Sequence, residues 1–203
     1  MFLASILLAA APTPAALAGF YQSQTMEVGG GIELRPDGHY RYELEYGAVD
    51  EASEGDWVFD GTAVRLTSKP MPKEPAFELV SDDPAPKGEV SLIVDKEGFN
   101  WTGRIDAIGT DQSGQQGLVT TDEAGKVDSG GHVLTAIDPM VPVYGVKAGH
   151  FPLSTDRGHK LHLKFHANDL GHPAFKAEPL ALRGDDLVML RYDTEIRFVR
   201  VRP

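Results

Sequence analysis

Five of the seven histidines, His150, His159, His162, His166 and His172, fall within one 23-residue stretch. Imidazole binds zinc or copper and moves protons near neutral pH. From Lys160 to Ala167 apolar and polar residues alternate. A strand there would carry Leu161, Leu163 and Phe165 on one face and His162, Lys164 and His166 on the other. Two imidazoles four residues apart on a strand are about 13 Å apart, too far to chelate one ion by themselves, and Lys164 between them adds repulsion. A Zn or Cu site therefore requires His150, His159 or His172 to fold back, with a carboxylate such as Asp156 or Asp169 completing it. This is the metal-binding, or metal-dependent hydrolytic, reading of these residues. The other is a solvated strand face in a basic segment.

Carboxylates offer a second chemistry. Asp50, Glu51 and Glu54 crowd one expected loop, and Asp82 and Asp83 another. Acid–base catalysis needs two such groups close together in unlike surroundings, whereas loop carboxylates are ordinarily solvated. The run from Asp122 to Asp128 lacks the regular ligand spacing and distal Glu of a calcium loop and reads as a turn. No G-x-S-x-G, S-x-x-K, H-E-x-x-H or phosphate-binding glycine fingerprint occurs, so no catalytic residue is assigned. Tyr40, Tyr42, Tyr46 and Trp57 could line a ligand cavity, their rings giving apolar area with a polar tip. The alternative is a filled core, the usual interior of a small barrel. Asn100-Trp101-Thr102 fits an N-glycosylation acceptor.

The whole chain has 203 residues, no cysteine and a formal net charge of −11. The missing thiols exclude disulfides, Cys-ligated zinc, iron–sulfur clusters and a cysteine nucleophile, and the acidity argues against nucleic-acid partners. The charge is uneven, since Val141 to Pro203 is net +3 and the rest −14. Residues 1–18 carry no charged side chain beyond the amino terminus and run from apolar Phe2–Ala11 to Ala16-Leu17-Ala18. That is the shape of a signal peptide cleaved before Gly19, although no Lys or Arg precedes the apolar run. It leaves no transmembrane segment after cleavage, because no other stretch approaches about 18 uninterrupted apolar residues.

Alternation with period two dominates the elements that would position these groups. Tyr40, Tyr42, Leu44 and Tyr46 alternate with Arg41, Glu43 and Glu45, a half-buried strand. Arg35-Pro36-Asp37-Gly38 supplies the preceding hairpin turn. Residues 19–70 read as a meander of about five strands. Lys69–Pro75, with three prolines, marks a boundary. Residues 76–178 read as short strands with frequent turns, a β-sandwich-like region of immunoglobulin-like or transthyretin-like type. Residues 180–203 return to hairpin chemistry around Asp193-Thr194 and would close the first meander.

The series Gly19-x-Tyr21, Pro36-Asp37-Gly38-x-Tyr40-x-Tyr42, Gly55-x-Trp57 and Gly61-x-x-Val64, with Leu187-Val188-Met189 and Phe198-Val199-Arg200, resembles small secreted lipocalin-like β-barrel domains. The resemblance covers about 75 residues and implies a barrel able to hold an apolar ligand. It supplies no catalytic residue and no place for the central region, which an inserted or appended sandwich would explain. The sequence thus yields an all-β fold, a lipocalin-like antiparallel meander or barrel plus a β-sandwich-like region. It describes a secreted or periplasmic protein that binds a small-molecule ligand or an envelope protein without catalysis. The alternatives are the metal-dependent activity and a structural adhesion or assembly module.

Overall fold

The structure is a computed structural model and describes residues 13–95, 104–141 and 143–202. The first twelve residues of the expected leader and the Asn100-Trp101-Thr102 acceptor site lie outside the described residues. A four-residue helix, α1 (Pro14–Leu17), is followed by β1 (Gly19–Ser23), β2 (Val28–Leu34), β3 (His39–Tyr46), β4 (Val49–Phe59) and β5 (Ala63–Ser68). Next come β6 (Ala76–Ala85), β7 (Val90–Asp95), β8 (Asp106–Asp111), β9 (Gln116–Thr121), β10 (Val127–Asp128) and β11 (Leu134–Val141). The chain continues through β12 (Val146–Lys147), β13 (Phe151–Pro152) and β14 (Gly158–His166), and ends with β15 (Lys176–Arg183), β16 (Asp186–Arg191) and β17 (Thr194–Arg200). Among the described residues no helix is long and apolar enough to cross a membrane.

Eight strands close into an antiparallel barrel in the order β1, β17, β16, β15, β5, β4, β3, β2. Apart from the β1–β17 pairing that closes the barrel, strand-sequential order is broken where β5 meets β15, with Ala63 opposite Ala181 and Thr67 opposite Lys176. Most of the chain between them is the inserted unit, Lys73–Leu170. The expected hairpin forms as its residues dictate. Gly38 takes φ 86°, its N–H reaches Arg35 O at 3.1 Å, and the Asp37 carboxylate accepts from His39 N at 3.2 Å. The last hairpin turns at Tyr192-Asp193, with φ of 52° and 54°, one residue earlier than the sequence suggests. Arg191 then faces Thr194, which keeps Leu187 and Met189 in the core with Arg191 on the same inward face. A one-residue slip would turn all three outward.

Two boundaries differ from the sequence reading. Residues 171–178, expected in the central module, belong to the barrel. Gly171 O accepts from Ala52 N, Phe175 O from Ser68 N, and β15 starts at Lys176. β4 extends past the end of β5, and the Gly171–Phe175 segment caps the backbone groups left over. At the other end of the barrel, residues assigned to the leader pack against it. Leu17 belongs to the barrel core, its carbonyl accepts from Tyr21 Oη at 2.7 Å, and Arg200 donates to Ala16 O and Ala18 O at 2.5 and 2.6 Å.

The inserted unit contains two sheets over one core. One runs β10, β9, β8, β11, β12, with β13 also on β11. The other, β6, β14, β7, pairs β14 antiparallel to β6 and parallel to β7. Phe77, Leu92, Leu161, Leu163 and Phe165 from the smaller sheet meet Ile105, Ala107, Ile137 and Val141 in one cluster. The two ends of the unit are tied to each other. Lys73 N donates to Asp169 Oδ2 at 2.7 Å, Asp169 N to Lys73 O at 3.1 Å, and Asn168 Nδ2 to Glu74 O at 2.8 Å.

A chain starting at Gly19 loses the Leu17 contact and the acceptors of Tyr21 and Arg200. Compared with one starting at Thr13, it should be less stable by about 2 kcal/mol, the scale of one buried leucine side chain. Urea unfolding of the two forms measures this difference.

Candidate functional site

The inward positions of β4 are Val49, Glu51, Ser53, Gly55 and Trp57, so alternation carries a carboxylate and a hydroxyl into the barrel. Glu51, expected in a solvated loop with Asp50 and Glu54, lies in the strand, its side chain only 3% exposed. A buried carboxylate is costly unless paired and hydrogen-bonded, and each oxygen of Glu51 has two donors. Oε2 accepts from Arg191 Nε at 3.0 Å and Tyr42 Oη at 3.1 Å. Oε1 accepts from Arg191 Nη2 and from Tyr192 Oη, the latter at 2.6 Å. A carboxylate offers about four acceptor sites, and here all are taken.

Burial and the adjacent Glu51 carboxylate push both the Tyr42 and Tyr192 hydroxyls above the ordinary phenol range, so they remain donors. Burial alone would lower the Arg191 guanidinium, but the hydrogen bonds and charge of Glu51 outweigh it and hold it above its usual range. The guanidinium also lies over Phe175 and Tyr192, 5.7 and 5.1 Å from the ring centroids. Tyr192 is a bulky residue in the left-handed region, a conformation that needs outside support. Its bond to Glu51 and the packing of its ring near Tyr46, centroids 6.3 Å apart, provide that support.

A second polar chain ends at the segment capping β4. Ser68 Oγ donates to Pro173 O at 2.9 Å and accepts from Phe175 N at 2.9 Å. Its one proton is thereby used, so Ser53 Oγ, 3.0 Å away, donates to it, and Tyr40 Oη, 2.8 Å from Ser53, donates to Ser53. The Phe175 ring sits 5.1 Å from Tyr42 and 6.4 Å from Tyr40. The four aromatics expected to line a cavity are therefore distributed through a filled interior. Tyr40 and Tyr42 are fully buried with bonded hydroxyls, Tyr46 is half-buried against Tyr192, and Trp57 is buried with Nε1 on Arg35 O at 2.9 Å.

The five histidines are not gathered either. His150 Nδ1 meets Asp138 at 2.5 Å, His162 Nε2 meets Asp95 at 2.7 Å, and His166 Nε2 meets Glu78 at 2.7 Å. His172 lies in the barrel unit and donates from Nδ1 to Ala52 O at 3.0 Å. His159, on the inner face of β14 with Leu161 and Leu163, has Nδ1 2.9 Å from Asp82 Oδ2 and Nε2 2.9 Å from Ser154 O. Among the described residues no three His, Asp or Glu side chains converge as metal ligands. Of the carboxylates considered as further ligands, Asp156 Oδ2 lies 3.5 Å from Ser154 Oγ and Asp169 Oδ2 accepts from Lys73 N at 2.7 Å.

Asp82 lies in β6 and not in the expected turn. Arg157 grips both its oxygens, at 3.2 and 2.6 Å. Burial would raise its pKa, but Arg157 and His159 prevail and lower it. This pair has the Asp and His of an acid–base relay, yet the second imidazole nitrogen faces a backbone carbonyl where a nucleophile would have to stand. Asp122 forms the plain turn expected of it, accepting from Ala124 N and Lys126 N at 2.9 and 2.8 Å.

Glu51 stands out in the sequence only as a loop carboxylate, and nothing local joins it to Arg191, 140 positions away. The usable signal was the parity of β4, which places Glu51 in step with Ser53 and Trp57.

Glu51→Gln strands the Arg191 charge and should cost about 3 kcal/mol, the range for breaking a buried pair. Glu51→Leu combined with Arg191→Met should cost less than the sum of the single changes. Denaturant unfolding of the native chain and the four variants measures both effects. Asp82, with its pKa lowered in the folded state, stabilises the inserted unit above its unfolded value near pH 4. That stability is lost as pH falls through the folded value. The stability gap between the native chain and Asp82→Asn should therefore be wide at about pH 5 and close below about pH 4, as followed by unfolding at each pH. Compared with known proteins, the chain matches no family model, no curated protein and no solved structure.

Proposed function

We propose that this chain is a non-enzymatic binding protein, secreted or periplasmic, in which a lipocalin-like barrel acts as a filled scaffold and the inserted unit engages an envelope protein. One observation carries the reading. The barrel interior is occupied by its own side chains, with Tyr21, Ile32, Leu34, Tyr40, Tyr42, Leu44, Leu66 and Phe198 each at most 1% exposed, and its polar groups satisfy one another. Glu51 has no acceptor site left for a substrate proton, and both nitrogens of His159 are occupied. The groups best placed for acid–base work thus serve as structural bonds. A filled small barrel favours a role at the surface over a role in a cavity. The inserted unit adds a second core and the open strand edges that a closed barrel lacks. Export rests on the uncharged, small-residue N-terminal run.

The test introduces photoreactive residues singly at exposed positions of the inserted unit, Leu79 and Val146, and of the barrel, Val58 and Leu190, in the full chain in its native host. Adducts of one shared mass should arise from sites in the inserted unit. Adducts from the barrel sites alone would overturn the proposal. So would a native mass spectrum of the purified chain with a small molecule retained, if substitution of Phe175 releases that molecule.

A further inference from the structure

β9 pairs with β8 along its whole length, from Asp106 opposite Thr120 to Thr110 opposite Gln116. On its other side it meets β10 only at Thr120 and Thr121. The direction of the free backbone groups follows from the ladder. Thr121 N donates to Ile105 O and Asp111 N to Gln115 O, both at 3.0 Å, so the odd-numbered residues turn their amides towards β8. Gln116, Leu118 and Thr120 turn theirs outward. Thr120 is met by Asp128. Gln116 and Leu118 have no strand opposite them among the described residues.

β10 stops because the chain turns away. Asp128 Oδ1 accepts from Gly130 N at 3.0 Å, and Gly130 and Gly131 take φ of 59° and 85°, a left-handed pair that glycine adopts freely. The chain thus leaves the line of β10 alongside Gln116–Val119, where a groove of about 270 Å³ is lined by Asp111, Gly117, Val119, Asp128, His132 and Leu134 among others. Open edges are usually blunted by charge, proline or cover, and the unit's other long strands follow that rule. β6 carries Asp82, Asp83 and Pro84, and β7 is met by Gly125 and Lys126. Residues 116–119 are Gln-Gly-Leu-Val, with no charge and no proline, and Leu118 is 66% exposed.

We infer that this edge accepts an extended peptide of alternating basic and apolar residues, added as a strand in line with β10. The inference rests on the reading of the inserted unit as the partner-binding part. Charge selects the occupant. Asp106 and Asp128 flank Thr120 on the outer face, and Asp111, Asp122 and Glu123 lie nearby in sequence. The one lysine of the segment, Lys126, is held by Glu89 at 3.1 Å. Basic side chains fit over the outer face, and the alternate apolar ones fit the groove beside Val119 and Leu134. A second copy of a chain carrying −11 would set acid against acid.

The probe is a labelled, end-capped octapeptide of alternating lysine and valine, titrated into the full chain by fluorescence anisotropy with amide hydrogen exchange read by NMR. Binding should saturate, weaken with salt, and slow exchange at Gln116 and Leu118, while the glutamate–valine counterpart does not bind. Leu118→Pro removes an outward N–H and no bond to β8, and should weaken binding at least tenfold. Leu118→Lys, at an exposed site, should do the same by repulsion and serves where the proline variant does not fold. Unchanged binding in a folded variant overturns the edge site. Protection elsewhere in Lys73–Leu170 also overturns the edge while leaving the binding role of the unit intact. Cross-links confined to the barrel overturn that role and leave the peptide result standing. A dimer in sedimentation that Leu118→Lys dissociates would overturn the basic-peptide occupant in favour of a second copy.

Discussion

The pairing of β5 with β15 is the constraint on which the architecture depends. It joins residues about a hundred positions apart, and a contact of that range carries a loop-closure cost that grows, slowly, with the length of flexible chain between its ends. The inserted unit shortens that length by tying its own ends together through Lys73, Glu74, Asn168 and Asp169. With its ends close, the unit enters the β5-to-β15 connection as a short loop would. The strands on either side remain neighbours and the barrel closes without an edge. The cap at Gly171–Phe175 follows from the same junction. β4 is longer than β5, and the returning chain covers the surplus before starting β15.

Closure explains why the barrel tolerates polar groups inside. Once the interior is sealed from water, every inward polar atom must find a partner within it. Glu51 does so with four donors, and the Tyr40, Ser53, Ser68 and Pro173 chain does so with one proton direction throughout. Such networks specify a register: an even shift of β4 would leave apolar and polar positions alternating correctly but would separate Glu51 from Arg191. Specification of this kind is distinct from net stabilisation, since a buried pair is often matched in stability by apolar residues of the same volume.

Much of the barrel was legible because its signals are local. The alternation of Tyr40, Tyr42 and Leu44 and the Pro36-Asp37-Gly38 turn each span fewer than ten residues and formed as expected. The first half of β4 was not legible, because three of its inward positions, Glu51, Ser53 and Gly55, are the residue types of a solvated loop. Only the distant Arg191, Tyr192 and Ser68 make them interior. β6 was cut short in the reading for a related reason. Asp82-Asp83-Pro84 is turn chemistry by composition, yet an outer strand tolerates proline and Arg157 and His159 neutralise Asp82. The histidines misled by proximity in sequence. Alternation and the chain's passage from the inserted unit back to the barrel give each a different neighbour, so nearness along the chain did not become nearness in space.

The two units handle their backbone edges in opposite ways. The barrel eliminates edges, whereas the inserted unit must keep some, because two small sheets cannot both close. Most of those edges carry charge, proline or a covering turn, and the exception at β9 creates a hazard, since an uncharged open edge invites pairing between copies. The surrounding acids answer that hazard without blocking the edge. Asp106 and Asp128 leave the Gln116 and Leu118 amides accessible, but two copies that approach through them meet like charge at short range, where screening by salt is weakest. Repulsion of this kind acts on identical partners and not on basic ones, so charge around an open edge discriminates between partners without adding a contact to either.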